Sequence, residues 1–316
     1  MAINMKNTKK DKITLPLQAI LLAIFCNALF GSVSPILKIS YEEFSIGENA
    51  FLQIFFAGIR FFVSGVLVFI IASAKNKKVV IPQKENRKNI LLVALTYTFL
   101  QYVFFYVGIS QVKGSIGSVI NSLSAFIAVI VAHFIYPNDK LNWQKSIGTC
   151  LGFIGVLLAL LSGIHDVSFS LWGELFIIIA TVCFVIGSVF NKQATSLNDS
   201  YVVTAYNLLL GGLGLVVVGL IGGFEQIQTF TFTWKGVLAF LYLVAVSSVG
   251  FTIWSILLKK YNLGSLGVFN FVIPVSGAIF SALLLGEDIL RLEYCLALLF
   301  VVLGIIIINW KKFEKH

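Results

Sequence analysis

The chain has 316 residues, of which 58% are apolar and only 12% charged, with a net charge of +9 and a mean hydropathy of +0.95. So few charges cannot clothe a water-soluble fold, which makes lipid the solvent that the composition points to. The positive balance does not indicate nucleic acid: Lys and Arg fall in short clusters between apolar runs, as at Lys75 to Lys78 and Lys84 to Lys88, and read as anchors against anionic lipid headgroups.

A polar tail of residues 1–14 opens the chain and is followed by an apolar run over 15–37. That run is too long for a signal-peptide core and lacks a small-x-small exit, so it is expected to stay as a first transmembrane helix. Nine more runs follow at 49–73, 90–111, 114–136, 144–163, 170–190, 201–222, 235–257, 264–285 and 292–310, before a short tail at 311–316. Each approaches the roughly twenty residues a helix needs to cross the hydrocarbon. The runs are continuous, not alternating, which excludes a closed barrel. The predicted fold is therefore an all-α integral membrane protein with ten transmembrane helices.

Lys and Arg set the expected orientation. With both tails inside, eighteen of them lie on the inner side: Lys6, Lys9, Lys10 and Lys12, six in the 74–89 loop, and Lys140, Lys145, Lys192, Lys259, Lys260, Lys311, Lys312 and Lys315. Only Lys38, Lys113, Lys235 and Arg291 fall outside, and Arg60 lies within a span. This asymmetry predicts cytoplasmic termini and a cytoplasmic-membrane location. Cys26, Cys150, Cys183 and Cys295 stand singly in apolar segments and suggest neither disulfides nor a metal site.

Short repeats relate the halves. Gly114-Ser115-Ile116-Gly117 opens the fourth span and Gly264-Ser265-Leu266-Gly267 the ninth; Gly31-Ser32-Val33 in the first recurs as Gly187-Ser188-Val189 in the sixth. Matches five spans apart imply halves of opposite orientation, 15–163 and 170–310, around an axis in the membrane plane. On these and further residues the chain resembles the EamA-type ten-helix members of the drug/metabolite transporter superfamily. Phe30 to Lys38 is similar to that family's Trp-Gly-rich stretch ending in Lys, Ile59-Arg60-Phe61-Phe62 to its Leu-Arg-Phe, and Ile273-Pro274-Val275 with Leu285-Gly286-Glu287 to its Pro and Leu-Gly-Glu pattern. Phe30 replaces the usual Trp, Ser124 a common Pro, and Tyr136-Pro137-Asn138-Asp139 the first Leu-Gly-Glu. The resemblance implies two inverted five-helix repeats and transport of small metabolites.

Polar side chains in lipid turn inward, so those at helical spacing mark the faces that could line a pathway. They are Asn27, Ser34 and Lys38 in the first span, Arg60 in the second, Tyr97 and Gln101 in the third, Asn121 and Ser124 in the fourth, Ser247 and Trp254 in the eighth, and Asn270 and Pro274 in the ninth. Each has a structural alternative: small residues let helices approach, asparagines bond between helices, aromatics pack, and Arg60 can donate to backbone carbonyls. As a functional group, Arg60 or Lys38 would hold a substrate carboxylate or phosphate. No Asp or Glu lies in the middle of a span, which disfavours a buried-carboxylate proton relay and export of cationic drugs. The expectation is a secondary transporter of amino acids or related zwitterionic or anionic compounds, working in export by facilitated diffusion or exchange. Import of a sugar or vitamin-like solute is the alternative. A membrane enzyme acting on a lipid-linked substrate has only the adjacent pair His165-Asp166 to offer. No phosphate-binding loop occurs, no cofactor is indicated, and the expected partners are the small solute and the lipids, with a monomer plausible.

Overall fold

A computed structural model describes residues 15–112, 114–161, 170–225, 230–285 and 292–309. Among them every regular element is helical: α1 (Leu17–Glu43), α2 (Ala50–Asn76), α3 (Lys84–Ile109), α4 (Gly114–Ser122 continued by Ser124–Ile135), α5 (Trp143–Leu161), α6 (Leu171–Leu197), α7 (Ser200–Gly223), α8 (Trp234–Lys260), α9 (Leu263–Leu285) and α10 (Leu292–Asn309). In lipid the backbone must satisfy its own polar groups, which is why continuous apolar sequence folds as helix. Eight described helices, counting Gly117–Ile135 within α4, are long and apolar enough to cross a membrane. The other two, α5 and α10, pack on each other.

Side-chain caps fix several starts. The Asn49 side chain accepts from Phe51 N at 2.9 Å to begin α2, Asp199 accepts from Tyr201 N at 3.1 Å to begin α7, and Thr233 accepts from Gly236 N at 3.0 Å to begin α8. Three helices are locally irregular. α3 passes through a π-helical stretch at Ala94–Leu100, α4 breaks at Leu123, and α9 begins as Leu263–Gly267, tightens to a 3-10 turn over Val268–Phe271 and restarts at Val272. The restart places Pro274 in a first helical turn, where its missing N–H leaves no hydrogen bond unmade.

Three pairs of helices five places apart pack antiparallel. Along α2 and α7, a Cβ built on Gly58 would stand 2.5 Å from Val216 N, one on Gly65 2.6 Å from Leu209 N, and one on Gly219 2.6 Å from Phe55 Cα. As one number rises the other falls, so the two helices run in opposite directions at backbone contact, a separation that only glycine permits. The same reversal holds for Gly267 on Ala128 and Gly264 on Ala132 between α4 and α9, and for Gly148 on Ile308 and Gly304 on Gly152 between α5 and α10. Elsewhere α1 packs on α8 and α3 on α6, a pair of contacts that exchange when each helix is moved five places. The halves are thus inverted copies, as the repeats imply.

The sequence spans are too short at several ends. α1 runs six residues past Leu37 to Glu43, so that Lys38 is helical, and α6 runs to Leu197 and includes Lys192. Lys192 Nζ donates to Leu258 O at 2.9 Å and Tyr261 O at 2.7 Å, covering the C-terminal carbonyls of α8. Lys145, counted on the inner side and at the start of the predicted span 144–163, is 4% exposed and paired with Asp139, itself 2% exposed. The segment after α4 turns back beneath α9, which takes both charges out of water together.

Candidate functional site

Ten of the twelve predicted pathway residues line one cavity of about 170 Å³ between the halves: Asn27, Ser34, Arg60, Tyr97, Gln101, Asn121, Ser124, Ser247, Trp254 and Asn270. Lys38, exposed a turn beyond Ser34, and Pro274, half-buried next to the lining Ile273, do not. The lining comes from α1, α2, α3, α4, α6, α8 and α9. Six of these form the repeat pairs α1 with α6, α3 with α8 and α4 with α9.

The apolar wall is aromatic. Phe251 is its hub, with ring centroids 5.5 Å from Phe30, 5.7 Å from Phe61 and 5.7 Å from Tyr97. Tyr97 also stacks on Phe184 at 5.2 Å, on the π-helical stretch of α3 that aims it inward. Of this group, Phe30, Phe61 and Phe184 were not predicted: in an apolar helix nothing separates a phenylalanine facing lipid from one facing a cavity.

Against that wall stand polar groups with unmet hydrogen-bonding capacity. Arg60 is 2% exposed, its guanidinium lies 4.3 Å over the Phe61 ring, and its Nε and Nη1 have no hydrogen-bond partner among the described residues. Trp254 Nε1, another donor, is likewise buried and unpartnered. The acceptors are Asn27 Oδ1 and Asn270 Oδ1. Asn27 Nδ2 donates to Ala23 O at 2.8 Å, and since a carbonyl can only accept, this bond fixes the amide with its oxygen turned away from its own helix. Asn270 Nδ2 donates to Ser124 Oγ at 3.3 Å, joining α9 to α4 where both are irregular. Leaving a buried donor or acceptor unpaired costs about 1–3 kcal/mol, and more for a charged group, so five such atoms, on four residues around one cavity, favour a polar occupant.

The two ends of the cavity differ. Toward the C-terminal end of α1, lining residue Ser34 is exposed. At the opposite end, beyond the buried Trp254 and Tyr97, the bundle is tied shut. Asp139 binds Lys145 and accepts from Gly264 N at 2.7 Å, while Asn262 Nδ2 donates to Asn138 O at 3.3 Å. Sequence reasoning treated Asp139 as a loop residue. His165, Asp166, Lys113, Glu287, Asp288, Arg291 and the tail lysines lie outside the described residues.

Comparison with known proteins matches both halves separately. The profile of the EamA-like transporter family covers residues 17–161 and again 171–310. An uncharacterized transporter of Bacillus subtilis (strain 168), YoaV, is 26% identical over 87% of this chain and 93% of its own length. A probable amino-acid metabolite efflux pump of Escherichia coli (strain K12) is 24% identical over 88% of this chain and 93% of its own. A solved crystal structure with 17% identity superposes at a TM-score of 0.72, covering 92% of this chain and 98% of that one, a likeness of fold alone.

Proposed function

Because the chain belongs to the EamA-like transporter family and is thereby a multi-pass membrane transporter, we propose that it exports amino acids or related zwitterionic or anionic metabolites across the cytoplasmic membrane. It does so by alternating access, with both termini in the cytoplasm. The observation that carries this reading is the opposed polarity of the cavity. Arg60 and Trp254 offer N–H donors suited to a carboxylate, and Asn27 and Asn270 offer carbonyl oxygens suited to an ammonium group. An α-amino acid carries both poles on one carbon, and the aromatic wall around Phe251 accommodates an apolar remainder. The E. coli relative, named as an amino-acid metabolite efflux pump, supports the substrate class and the direction.

The proposed cycle needs no group beyond the chain. The solute enters the aqueous cavity, exchanges its hydration for Arg60 and the asparagines, and leaves when the opposite end opens. Without a carboxylate among the lining residues the carrier works by facilitated diffusion or exchange. Metabolite profiling of cells with and without the gene tests this. The expected result is intracellular accumulation of a zwitterionic or anionic compound in the deleted strain, and its depletion on overexpression. Accumulation of a cation, or depletion of an external sugar only in the presence of the gene, would replace the reading by cation export or by import.

A further inference from the structure

The internal repeat places small residues at corresponding positions of α4 and α9, and only one set of the corresponding contacts is made. Gly117 and Gly267 stand 150 positions apart, and the same step carries Ala128 and Ala132 of α4 onto Ala278 and Ala282 of α9. One member of this doubled set is assembled. At the shut end, a Cβ built on Gly267 would fall 2.7 Å from Ala128 Cβ, and one on Gly264 3.3 Å from Ala132 Cβ. The other member is not. Gly117 instead faces Ile109 and Ile177, while the second half of α9 packs on α1, where a Cβ on Gly31 would fall 2.0 Å from Ser276 Oγ.

We infer that the open end closes by bringing Gly117 of α4 against Ala278 of α9, the inverted copy of Gly267 on Ala128. This rests on the alternating-access reading above. The two contacts exclude each other in time because both helices are broken where they meet, at Leu123 and over Val268–Phe271, and are joined there by Asn270 and Ser124. Two rods crossing at such a pivot separate at one end as they approach at the other. Ser124 supplies the hydroxyl of that joint.

Paired cysteines in a background lacking the four native ones test it, since a disulfide needs Cβ atoms about 3.5–4.5 Å apart. Ala132→Cys with Gly264→Cys reports the shut end as seen here. Gly117→Cys with Ala278→Cys is expected to cross-link in membranes under mild oxidation, to stop transport, and to recover on reduction, whereas Gly117→Cys with Ile279→Cys stays unlinked. Failure of the 117/278 pair in protein that still transports and still links 132/264 overturns the inference. Linkage in protein that moves no solute supports the pairing and counts instead against the transport reading. If Gly117→Cys does not reach the membrane, Ala278→Trp serves: it should prevent outer closure and abolish transport while raising thiol labelling of Ser34→Cys, and unimpaired transport in that variant overturns the inference.

Discussion

Arg60 is a cation at mid-depth whose Nε and Nη1 have no hydrogen-bond partner among the described residues, a cost that a bound solute anion would offset. Replacing it by Gln keeps much of the volume and removes the buried charge. Arg60→Gln is therefore expected to reach the membrane at normal levels, with thermal stability unchanged or raised, and to lose transport. A fall in stability would assign Arg60 to holding the fold. Asn121→Ala and Asn270→Ala should each abolish uptake into vesicles while leaving membrane insertion near normal, and full activity in both would remove them from the pathway. These residues could be read from sequence because a polar side chain in an apolar helix is costly wherever it faces lipid. The aromatic walls could not, since Phe30 and Phe184 would be equally at home against acyl chains. Nor could the exclusion of Lys38, which needs the rotation of α1 relative to Ser34.

At the scale of elements, the repeat order followed from spacing alone, whereas the glycine seam of α2 with α7 did not, because small residues at regular intervals permit backbone contact without naming the partner helix. The shut end did not. Asp139 and Lys145 look like any loop charges until the segment after α4 is seen folded beneath α9, a contact 125 residues apart in sequence. Removing one member of a buried pair leaves the other charge uncompensated, at a cost of about 3–5 kcal/mol. Asp139→Ala should accordingly lower the thermal midpoint in detergent and also free Gly264 N, loosening that end of the cavity. The combination is diagnostic: Asp139→Ala should raise labelling of Ala132→Cys, while Lys145→Ala leaves the bond to Gly264 and raises it less.

For the whole molecule, the proposed alternating access would use the inversion to give two nearly equivalent arrangements of the same contacts, of which this structure holds one. The exposed Ser34 marks the accessible end. With cytoplasmic termini that end faces outward, so Ser34→Cys should react with a membrane-impermeant thiol reagent added to intact cells, while Trp254→Cys reacts little until the conformation changes. Labelling of Ser34→Cys only in inside-out vesicles would reverse the assigned topology.

Arg60 also gives the binding slot a fixed positive charge that sits at the electrical potential of whichever compartment the slot has joined. A zwitterion adds no net charge, so loaded and empty carriers displace the same charge in opposite senses, and nothing is moved electrically over a full cycle. A negative interior, worth at most about 2.3 kcal/mol per 100 mV for a unit charge crossing the whole field, then biases which way the carrier rests without altering the concentration ratio it can sustain. Voltage steps should evoke transient currents in the absence of solute and no steady current in its presence.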